Sequence, residues 1–312
     1  MKILFISPRY EGGIGGHAKR VAEKLQENGF DVELMNVPHI PIKNLKNPSF
    51  TIFGIIKAVL HSKQYDVVHG WNIPSSFVMK KIKAKKKILS VHGIYGEQIQ
   101  KIHSKTTSSI GKKAEEEAFK IPDVLTTDSK YVQNYYKNKL GLNFIYLPAP
   151  LDISKFEKIE PKKEKKNQVI YIGRDSYEKG IDVLQSIENK INCNVVYCTD
   201  LPWKETMKTL MESKILVVPS RMESIPQVIK EAFYLKIPVI ATNVGGVPEI
   251  LQNKETGILI PPEEADILLN SINLLLDDKV LQEKLTNEAF KLITENFSWE
   301  TLLPDYVDLY KH

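Results

Sequence analysis

The sequence predicts an α/β protein built from two domains. Its 312 residues are more than one hydrophobic core usually organises. Short apolar runs rich in β-branched residues alternate with amphipathic patterns, which is typical of βαβ units whose parallel sheets are buried on both faces. A seam of prolines and polar residues occupies positions 148–167, and the alternation restarts after it. We therefore expect two Rossmann-like domains, residues 1–150 and 151–296, with functional loops at the carboxyl ends of their strands.

Each element follows from the spacing of its apolar residues. The predicted strands are 2–7, 31–37, 66–69, 88–91, 124–127, 144–147, 169–172, 194–198, 215–219 and 238–241. The predicted helices are 16–28, 50–62, 180–188, 263–276 and 280–295, followed by 298–312, which Pro304 should kink.

The composition favours a cytoplasmic protein that is soluble or peripheral to a membrane. The two cysteines, Cys193 and Cys198, have no zinc-binding spacing, so we expect buried thiols in a reducing compartment. The apolar run at Met1–Ser7 is too short for a signal segment. The run at Phe50–Leu60 is far shorter than the ~20 residues of a spanning helix.

Positive charge is concentrated in the first half of the chain. Residues 1–150 hold 23 Lys and Arg against 12 Asp and Glu, a net charge of +11, whereas the remainder has a net charge of −6. The densest patch is Lys80–Lys87, which fits either a solvated helix end leading into a strand or a contact with anionic lipid head groups. No aromatic residues interleave these lysines, so we expect no nucleic-acid partner.

A glycine-rich loop follows the first predicted strand. Glycines within Glu11–His17 let the backbone approach a ligand closely, and the helix behind them offers free N–H groups that suit phosphate. The spacing is not G-x-G-x-x-G, and Glu33 lies within the second strand rather than at its end, which disfavours a dinucleotide site. The alternative is a tight turn without a ligand.

Three loops of the second half carry further candidates. Arg174 and Lys179 follow a strand and have the charge to clamp a diphosphate, although such a pair also fits ordinary surface charge. Glu223 lies on a loop, and Glu231 lies about a turn into a helix that Pro226 can start. One carboxylate can therefore contact a sugar and the other a ribose. The alternative is that they are two unrelated surface acids. Another glycine loop follows at 242–249. These loops are expected to face the same cleft, so their occurrence together is more informative than any one of them.

In these motifs the sequence resembles the family-4 glycosyltransferases, which have the GT-B fold of two Rossmann-like domains facing across a cleft and retain the anomeric configuration. The resemblance extends over nearly the whole chain. Its elements are Gly12–Gly16, Asp66–His69, His92-Gly93, Thr126–Ser129, Gly173-Arg174 with Glu178–Gly180, Glu223 with Glu231, Gly245-Gly246 with Glu249, and Phe297–Trp299.

The resemblance implies that the second domain binds a nucleotide sugar and the first binds an acceptor. It places His92, Glu223, Arg174 and Lys179 at the catalytic centre, with His92 beside the transferred sugar, Glu223 on that sugar and both cations on the diphosphate. The implied donor-binding residues are Gly15, Gly16, Gly173, Arg174, Lys179, Ile225, Val228 and Glu231, with Glu231 on the ribose. Residues 297–312 resemble the helix that crosses back to the first domain.

The expected reaction needs no metal or other cofactor. No D-x-D motif occurs in the chain, and Arg174 and Lys179 would take the place of a cation on the leaving group. We expect a hexose-type sugar to pass from a UDP- or GDP-sugar to a glycan or a lipid-linked acceptor by front-face attack. The alternatives are a GT-B epimerase, a phosphorylase, or a non-catalytic module that binds sugar nucleotides or glycans.

The sequence departs from the family pattern at three places. Pro148–Asp152 lacks the usual Asn and Gly, and Pro226 replaces a glycine and removes one N–H donor. The region from Cys198 to Trp203 is short where the family usually has another strand-helix-strand element. The nucleotide base is therefore not readable from the sequence.

Overall fold

The computed structural model describes residues 1–9, 13–42, 45–94, 105–159 and 165–312. The chain divides into two compact units. The first unit consists of residues 1–149 together with 303–312, and the second consists of residues 150–302. Each unit contains its own parallel sheet with helices around it.

The first unit is organised around a six-stranded parallel sheet. Its order β2-β1-β3-β4-β5-β6 places β1 and β3 side by side in the interior of the sheet, with Phe5 paired to His69. Apart from the exposed Lys2 and Gln64 and the half-buried Asp66, the side chains of both strands are buried, as expected for strands covered on both faces. The strands are β1 (Lys2–Pro8), β2 (Asp31–Val37), β3 (Gln64–Gly70), β4 (Lys83–Ser90), β5 (Val124–Thr127) and β6 (Ile145–Tyr146).

Five described helices connect these strands. They are α1 (Gly13–Glu27), α2 (Lys46–Val59), α3 (Ile73–Met79), α4 (Lys105–Phe119) and α5 (Lys130–Leu140). Helix α1 buries Val21, Ala22 and Leu25, the face that its apolar spacing predicts. Helix α5 begins after Ser129, whose hydroxyl accepts the Val132 N–H, and ends at Gly141 in the left-handed conformation.

The second unit has a five-stranded parallel sheet in the order β11-β10-β9-β7-β8. Its strands are β7 (Gln168–Ile172), β8 (Asn194–Cys198), β9 (Ile215–Val218), β10 (Val239–Thr242) and β11 (Ile258–Ile260). Strands β9 and β10 are entirely buried. The sequence analysis missed β11, because its three residues are too few to show a period.

The helices of the second unit vary widely in length. They are α6 (Ile181–Gln185), α7 (Trp203–Glu212), α8 (Gln227–Tyr234), α9 (Val247–Ile250), α10 (Ala265–Asp277), α11 (Lys279–Asn296) and α12 (Trp299–Lys311), whose last residues belong to the first unit. The predicted helix 180–188 was too long, since α6 ends at Gln185. Helix α12 continues through Pro304. Cys198 is buried, but Cys193 is only half-buried, contrary to expectation.

The Lys80–Lys87 segment runs from the end of α3 through the first five residues of strand β4. Two of its ammonium groups are occupied within the first unit: Lys85 pairs with Asp66 at 2.8 Å, and Lys86 donates to the Leu309 carbonyl at 2.8 Å. None of the helices in the described part of the chain is both long enough and apolar enough to cross a bilayer. Contact between this segment and a membrane stays a prediction.

Candidate active site

The candidate residues of the second unit lie on loops that follow three neighbouring strands. The β7 loop carries Gly173, Arg174 and Lys179, the β9 loop carries Glu223, and the β10 loop carries Gly245. The order of the sheet reverses between β7 and β9, because β7 pairs with β8 on its other side. Such a switch point opens a crevice at the carboxyl ends of the strands, where open α/β sheets bind ligands.

Lys179 and Glu223 meet directly at this switch point. The Lys179 ammonium lies 2.6 Å from Oε1 of Glu223, and the side chains are 24% and 9% exposed. The same oxygen accepts the hydroxyl of Ser220 at 2.8 Å. The sequence analysis named the lysine and the glutamate but missed Ser220, whose only signal was its place at the end of β9.

Two glycines allow the three loops to approach one another this closely. Gly245 has φ +55°, and a Cβ built there would lie 1.9 Å from the Glu223 carbonyl oxygen. Gly180 has φ +63°, and its Cβ would lie 2.0 Å from the Pro219 carbonyl oxygen. Both positions require glycine for their conformation and for their close backbone contact.

Arg221 fastens the β7 loop to the β9 loop. Its guanidinium forms two hydrogen bonds with Asp182, at 2.7 and 2.6 Å, and donates to the Tyr177 carbonyl at 2.8 Å. It also pairs with Glu263 and lies 4.3 Å from the centre of the Tyr177 ring. The planar fork of arginine suits such bidentate and stacked contacts. The sequence analysis missed this residue, because its partners are far away in the chain.

The Arg174 side chain is exposed, and its guanidinium forms no hydrogen bond or ion pair with the described residues. Its backbone carbonyl accepts the Tyr171 hydroxyl at 2.7 Å. Burial raises the pKa of Tyr171, the charge of Glu223 raises it further, and the charge of Arg174 lowers it. Arg174 and Glu223 are therefore within electrostatic range of the same hydroxyl.

Both cations of the β7 loop lower the pKa of Glu178. Burial alone would raise the pKa of this carboxyl, but its own backbone N–H and the charges of Arg174 and Lys179 bring that pKa below its ordinary value. Its backbone carbonyl accepts the N–H of Arg221 at 2.8 Å. The turn that carries Lys179 is thus tied to the β9 loop by its backbone as well.

Glu231 occupies the fifth position of helix α8. Its Oε1 accepts the indole N–H of Trp203 at 2.7 Å, a contact that the sequence analysis missed. Pro226 is the residue before the helix and has no side-chain capping bond. The Ile229 N–H donates to the Pro226 carbonyl at 3.2 Å, so the N–H groups of Gln227 and Val228 are the ones that keep their capacity to bind an anion. Ile225 and Val228 flank this helix start and are half-buried.

In the first unit, Gly15 and Gly16 lie in the first turn of α1 and are buried. The N–H group of Gly15 is among the four that a helix leaves without an internal partner. Gly13 has φ +51°, which relies on the freedom of glycine. Glu11 and Gly12, the first two residues of the predicted glycine-rich loop, lie outside the described residues.

His92 follows strand β4 and is oriented by Asp128, which follows strand β5. Its Nδ1 lies 3.1 Å from Oδ2 of Asp128, and the two side chains are about one tenth exposed. A histidine that donates Nδ1–H to a carboxylate presents Nε2 as an acceptor. That Nε2 is buried and has no hydrogen-bond partner among the described residues. Asp128 was part of the motif that carried the resemblance, but the sequence analysis assigned it no role.

An aromatic column packs beside His92 and fixes its ring. Trp71 stacks on His92 with centroids 6.0 Å apart and on His69 with centroids 4.4 Å apart. The His17 ring stands edge-on to Trp71 and to His92, at 5.0 and 5.6 Å. Like Nε2 of His92, the Trp71 indole N–H is buried without a partner in the described residues. Buried polar groups of this kind usually form a hydrogen bond with a bound ligand or an ordered water.

The described residues contain no group of three or more His, Cys, Asp and Glu side chains arranged to hold a metal ion. Whether the reaction proceeds without a metal stays a prediction for experiment.

Comparison with known proteins identifies the fold class. The chain is similar to sucrose-phosphate synthase from Thermosynechococcus elongatus, with a TM-score of 0.83 and 18% identity over 99% of this chain and 98% of that one. It is also similar to HepE of Anabaena in complex with UDP-glucose, with a TM-score of 0.76 and 15% identity over 100% and 99% of the two chains. The fold is therefore that of the GT-B glycosyltransferases, as the sequence predicted.

The sequence comparisons identify the family. The model described as Glycosyltransferase Family 4 matches residues 11–152, and the model described as Glycosyl transferases group 1 matches residues 184–292. The chain is 25% identical to the uncharacterized glycosyltransferase MJ1607 of Methanocaldococcus jannaschii, over 100% of this chain and 98% of that protein. The chain belongs to the family-4 glycosyltransferases.

Proposed function

We propose that this glycosyltransferase moves a hexose-type sugar from a UDP- or GDP-sugar to a glycan or lipid-linked acceptor, with retention of configuration and without a metal ion. The observation that carries the proposal is the 2.6 Å contact between Lys179 and Glu223 at the switch point of the second sheet. It joins a cation suited to a diphosphate with a carboxylate suited to sugar hydroxyls. The UDP-glucose bound to Anabaena HepE, a protein of the same fold, supports a UDP-sugar as the first donor to test.

The cations of the β7 loop and the start of α8 would stabilise the leaving group. As the bond between sugar C1 and the phosphate oxygen breaks, negative charge develops on the diphosphate. The Lys179 ammonium has three N–H donors, and its bond to Glu223 uses one. The other two, together with Arg174 and the N–H groups of α8, would meet this charge in a fixed arrangement.

The remaining bonds change without a covalent enzyme intermediate. The acceptor hydroxyl oxygen attacks C1 from the face that the diphosphate leaves, and its proton passes to the departing phosphate oxygen. The products are the glycoside and the nucleoside diphosphate. Glu223 would hold the sugar hydroxyls, Glu231 the ribose, and Nε2 of His92 would accept a hydrogen bond from the sugar.

Nucleotide release from a donor panel tests the proposal. The protein is incubated with UDP-, GDP- and ADP-sugars, with and without glycan and lipid-linked acceptors, and with EDTA or added Mg²⁺. We expect acceptor-dependent release of one nucleotide, no loss in EDTA, and a product whose anomeric configuration by NMR matches that of the donor. Binding without turnover across the panel would contradict transfer, inhibition by EDTA would contradict metal independence, and an inverted product would contradict retention.

A further inference from the structure

We propose that helix α2 and its flanking residues form a docking surface for an anionic lipid bilayer. Eight large apolar side chains between residues 40 and 60 are exposed, half of the sixteen such side chains in the described part of the chain. Six of them lie on α2 or directly beside it: Leu45, Ile52, Phe53, Ile56, Val59 and Leu60. Monomeric proteins rarely leave a large contiguous apolar patch in water unless it meets a partner or a membrane.

The spacing of these side chains places them on one side of the helix. Ile52, Ile56 and Val59 recur at intervals of four and three, which is the period of a helical face. The opposite side holds the buried Phe50 and Ala58, together with Gly54. A Cβ at Gly54 would lie 2.5 Å from Cγ2 of Val78, so α2 packs tightly against α3 on that side. One face of α2 is therefore buried in the core, whereas the face that carries Ile52, Ile56 and Val59 is exposed.

The positive charge around this exposed face favours an anionic surface as its binding partner. Residues 34–62 contain three lysines and no Asp or Glu, whereas Lys63, just beyond them, already pairs with Glu33 at 2.9 Å. Lys46 and Lys57 are exposed near the two ends of α2, and Lys57 reaches the Asn36 carbonyl at 2.8 Å while staying exposed. A helix that combines exposed Ile, Leu and Phe side chains with lysines is suited to lie in the interface of an anionic bilayer.

A second copy of the chain fits this surface poorly. In a two-fold dimer the same patch meets itself. The lysines of one copy would then face those of the other, and residues 34–62 hold no acid to compensate them. Lipid head groups supply the missing negative charge, and acyl chains cover the apolar face.

The surface differs from the Lys80–Lys87 segment that the sequence analysis singled out. That segment is strand and turn, and two of its ammonium groups already bind within the first unit. The α2 surface requires neither donor nor acceptor, so it is tested apart from the transferase reaction.

Vesicle sedimentation tests the proposal on the full chain. We expect the protein to sediment with vesicles of phosphatidylglycerol and phosphatidylcholine, less so as salt rises, and much less with phosphatidylcholine alone. Ile52→Ser combined with Ile56→Ser should lower the partition coefficient at least tenfold, because the variant loses two large apolar side chains that the bilayer would remove from water. The matched control, Leu274→Ser with Val280→Ser, removes two exposed apolar side chains of the second unit and should bind like wild type.

A fluorescence variant keeps the test valid if the double substitution does not fold. Ile56→Trp should shift its emission to the blue and be quenched by brominated lipid in anionic vesicles, whereas Leu274→Trp should do neither. Wild-type sedimentation of the α2 double variant, or failure of the wild type to bind anionic vesicles, overturns the proposal. The proposal is also overturned if analytical ultracentrifugation shows a wild-type dimer that the Ile52→Ser, Ile56→Ser variant does not form, while the variant still binds vesicles like the wild type.

Discussion

The Lys179 ammonium lies 2.6 Å from Oε1 of Glu223 and thereby joins the loops that follow two adjacent strands, β7 and β9. Ser220 donates to the same oxygen, so the carboxylate has a fixed rotamer before any ligand arrives. Arg221 ties the same two loops together through Asp182 and the Tyr177 carbonyl. Groups held in this way need little reorganisation when a diphosphate sugar binds, which is the condition for efficient electrostatic stabilisation of a transition state.

Lys179→Ala should lower kcat by about 10²- to 10³-fold, because the variant loses a charge aimed at the developing diphosphate. We expect a smaller effect on KM for the donor, since that charge acts mainly in the transition state. Steady-state kinetics with the preferred donor measure both constants. The control is Lys190→Ala, which removes an exposed lysine of the same unit and should leave turnover unchanged. Turnover of Lys179→Ala at the wild-type level would refute the role of this lysine.

Gly245→Ala should reduce turnover at least tenfold and lower the melting temperature. The added Cβ would lie 1.9 Å from the Glu223 carbonyl oxygen, so the β9 loop must move away from its present position. Left-handed backbone alone costs an alanine about 1–2 kcal/mol.

Gly141→Ala separates these two effects. Gly141 has φ +66°, but a Cβ there meets nothing within 4 Å, so this variant should lose stability and keep its activity. Equal turnover in the two glycine variants would show that close contact with Glu223 is unimportant.

Much of the fold was readable from the sequence, because buried parallel strands are continuous apolar runs and their ends are marked by glycine and proline. Strands β2, β5 and β8 have the predicted boundaries. The three residues of β11 are too few to show a hydrophobic periodicity. The Lys83–Lys87 half of β4 was not predicted, because its lysines interrupt the apolar pattern of a buried strand. Lysines can occupy that strand because their long stems carry the ammonium groups to the surface.

The candidate site was readable only in part. Motif spacing indicated Lys179 and Glu223 but not that they touch, since the contact spans 44 residues and depends on the order of the strands. Trp203 was overlooked because its partner, Glu231, lies 28 residues further along the chain. A sequence names side chains with the right chemistry, whereas the partners that orient them depend on tertiary packing.

Asp128→Asn should lower kcat at least tenfold with little change in the KM for the donor. An amide can donate to Nδ1 of His92, which would move the histidine proton to Nε2 and turn an acceptor into a donor. The isosteric change preserves packing, so circular dichroism should match wild type. The control is Asp123→Asn, on the other end of β5, whose carboxylate accepts the backbone N–H of Lys87. A wild-type kcat for Asp128→Asn would remove Asp128 as a positioning residue.

His69 should make the protein less stable as the pH falls below about 6.5. Burial holds the pKa of His69 well below its ordinary value, and the nearby His92 lowers it further. The ring is fully buried, with Nδ1 2.6 Å from the Tyr310 hydroxyl and Nε2 2.7 Å from the Ser90 hydroxyl. The unfolded chain therefore binds a proton below its ordinary pKa while the folded chain does not, so unfolding becomes more favourable as the pH decreases.

The size of this effect follows from the ordinary histidine pKa of about 6.5, and it amounts to about 1.4 kcal/mol between pH 7.5 and pH 5.5. Urea denaturation of wild type and His69→Gln at both pH values isolates it. We expect the stability of the wild type relative to the variant to fall by that amount at the lower pH. His312→Gln, which removes an exposed histidine, is the matched control and should follow the wild type. A stability difference between wild type and His69→Gln that stays constant with pH would mean that His69 accepts its proton as easily in the folded chain as in the unfolded one.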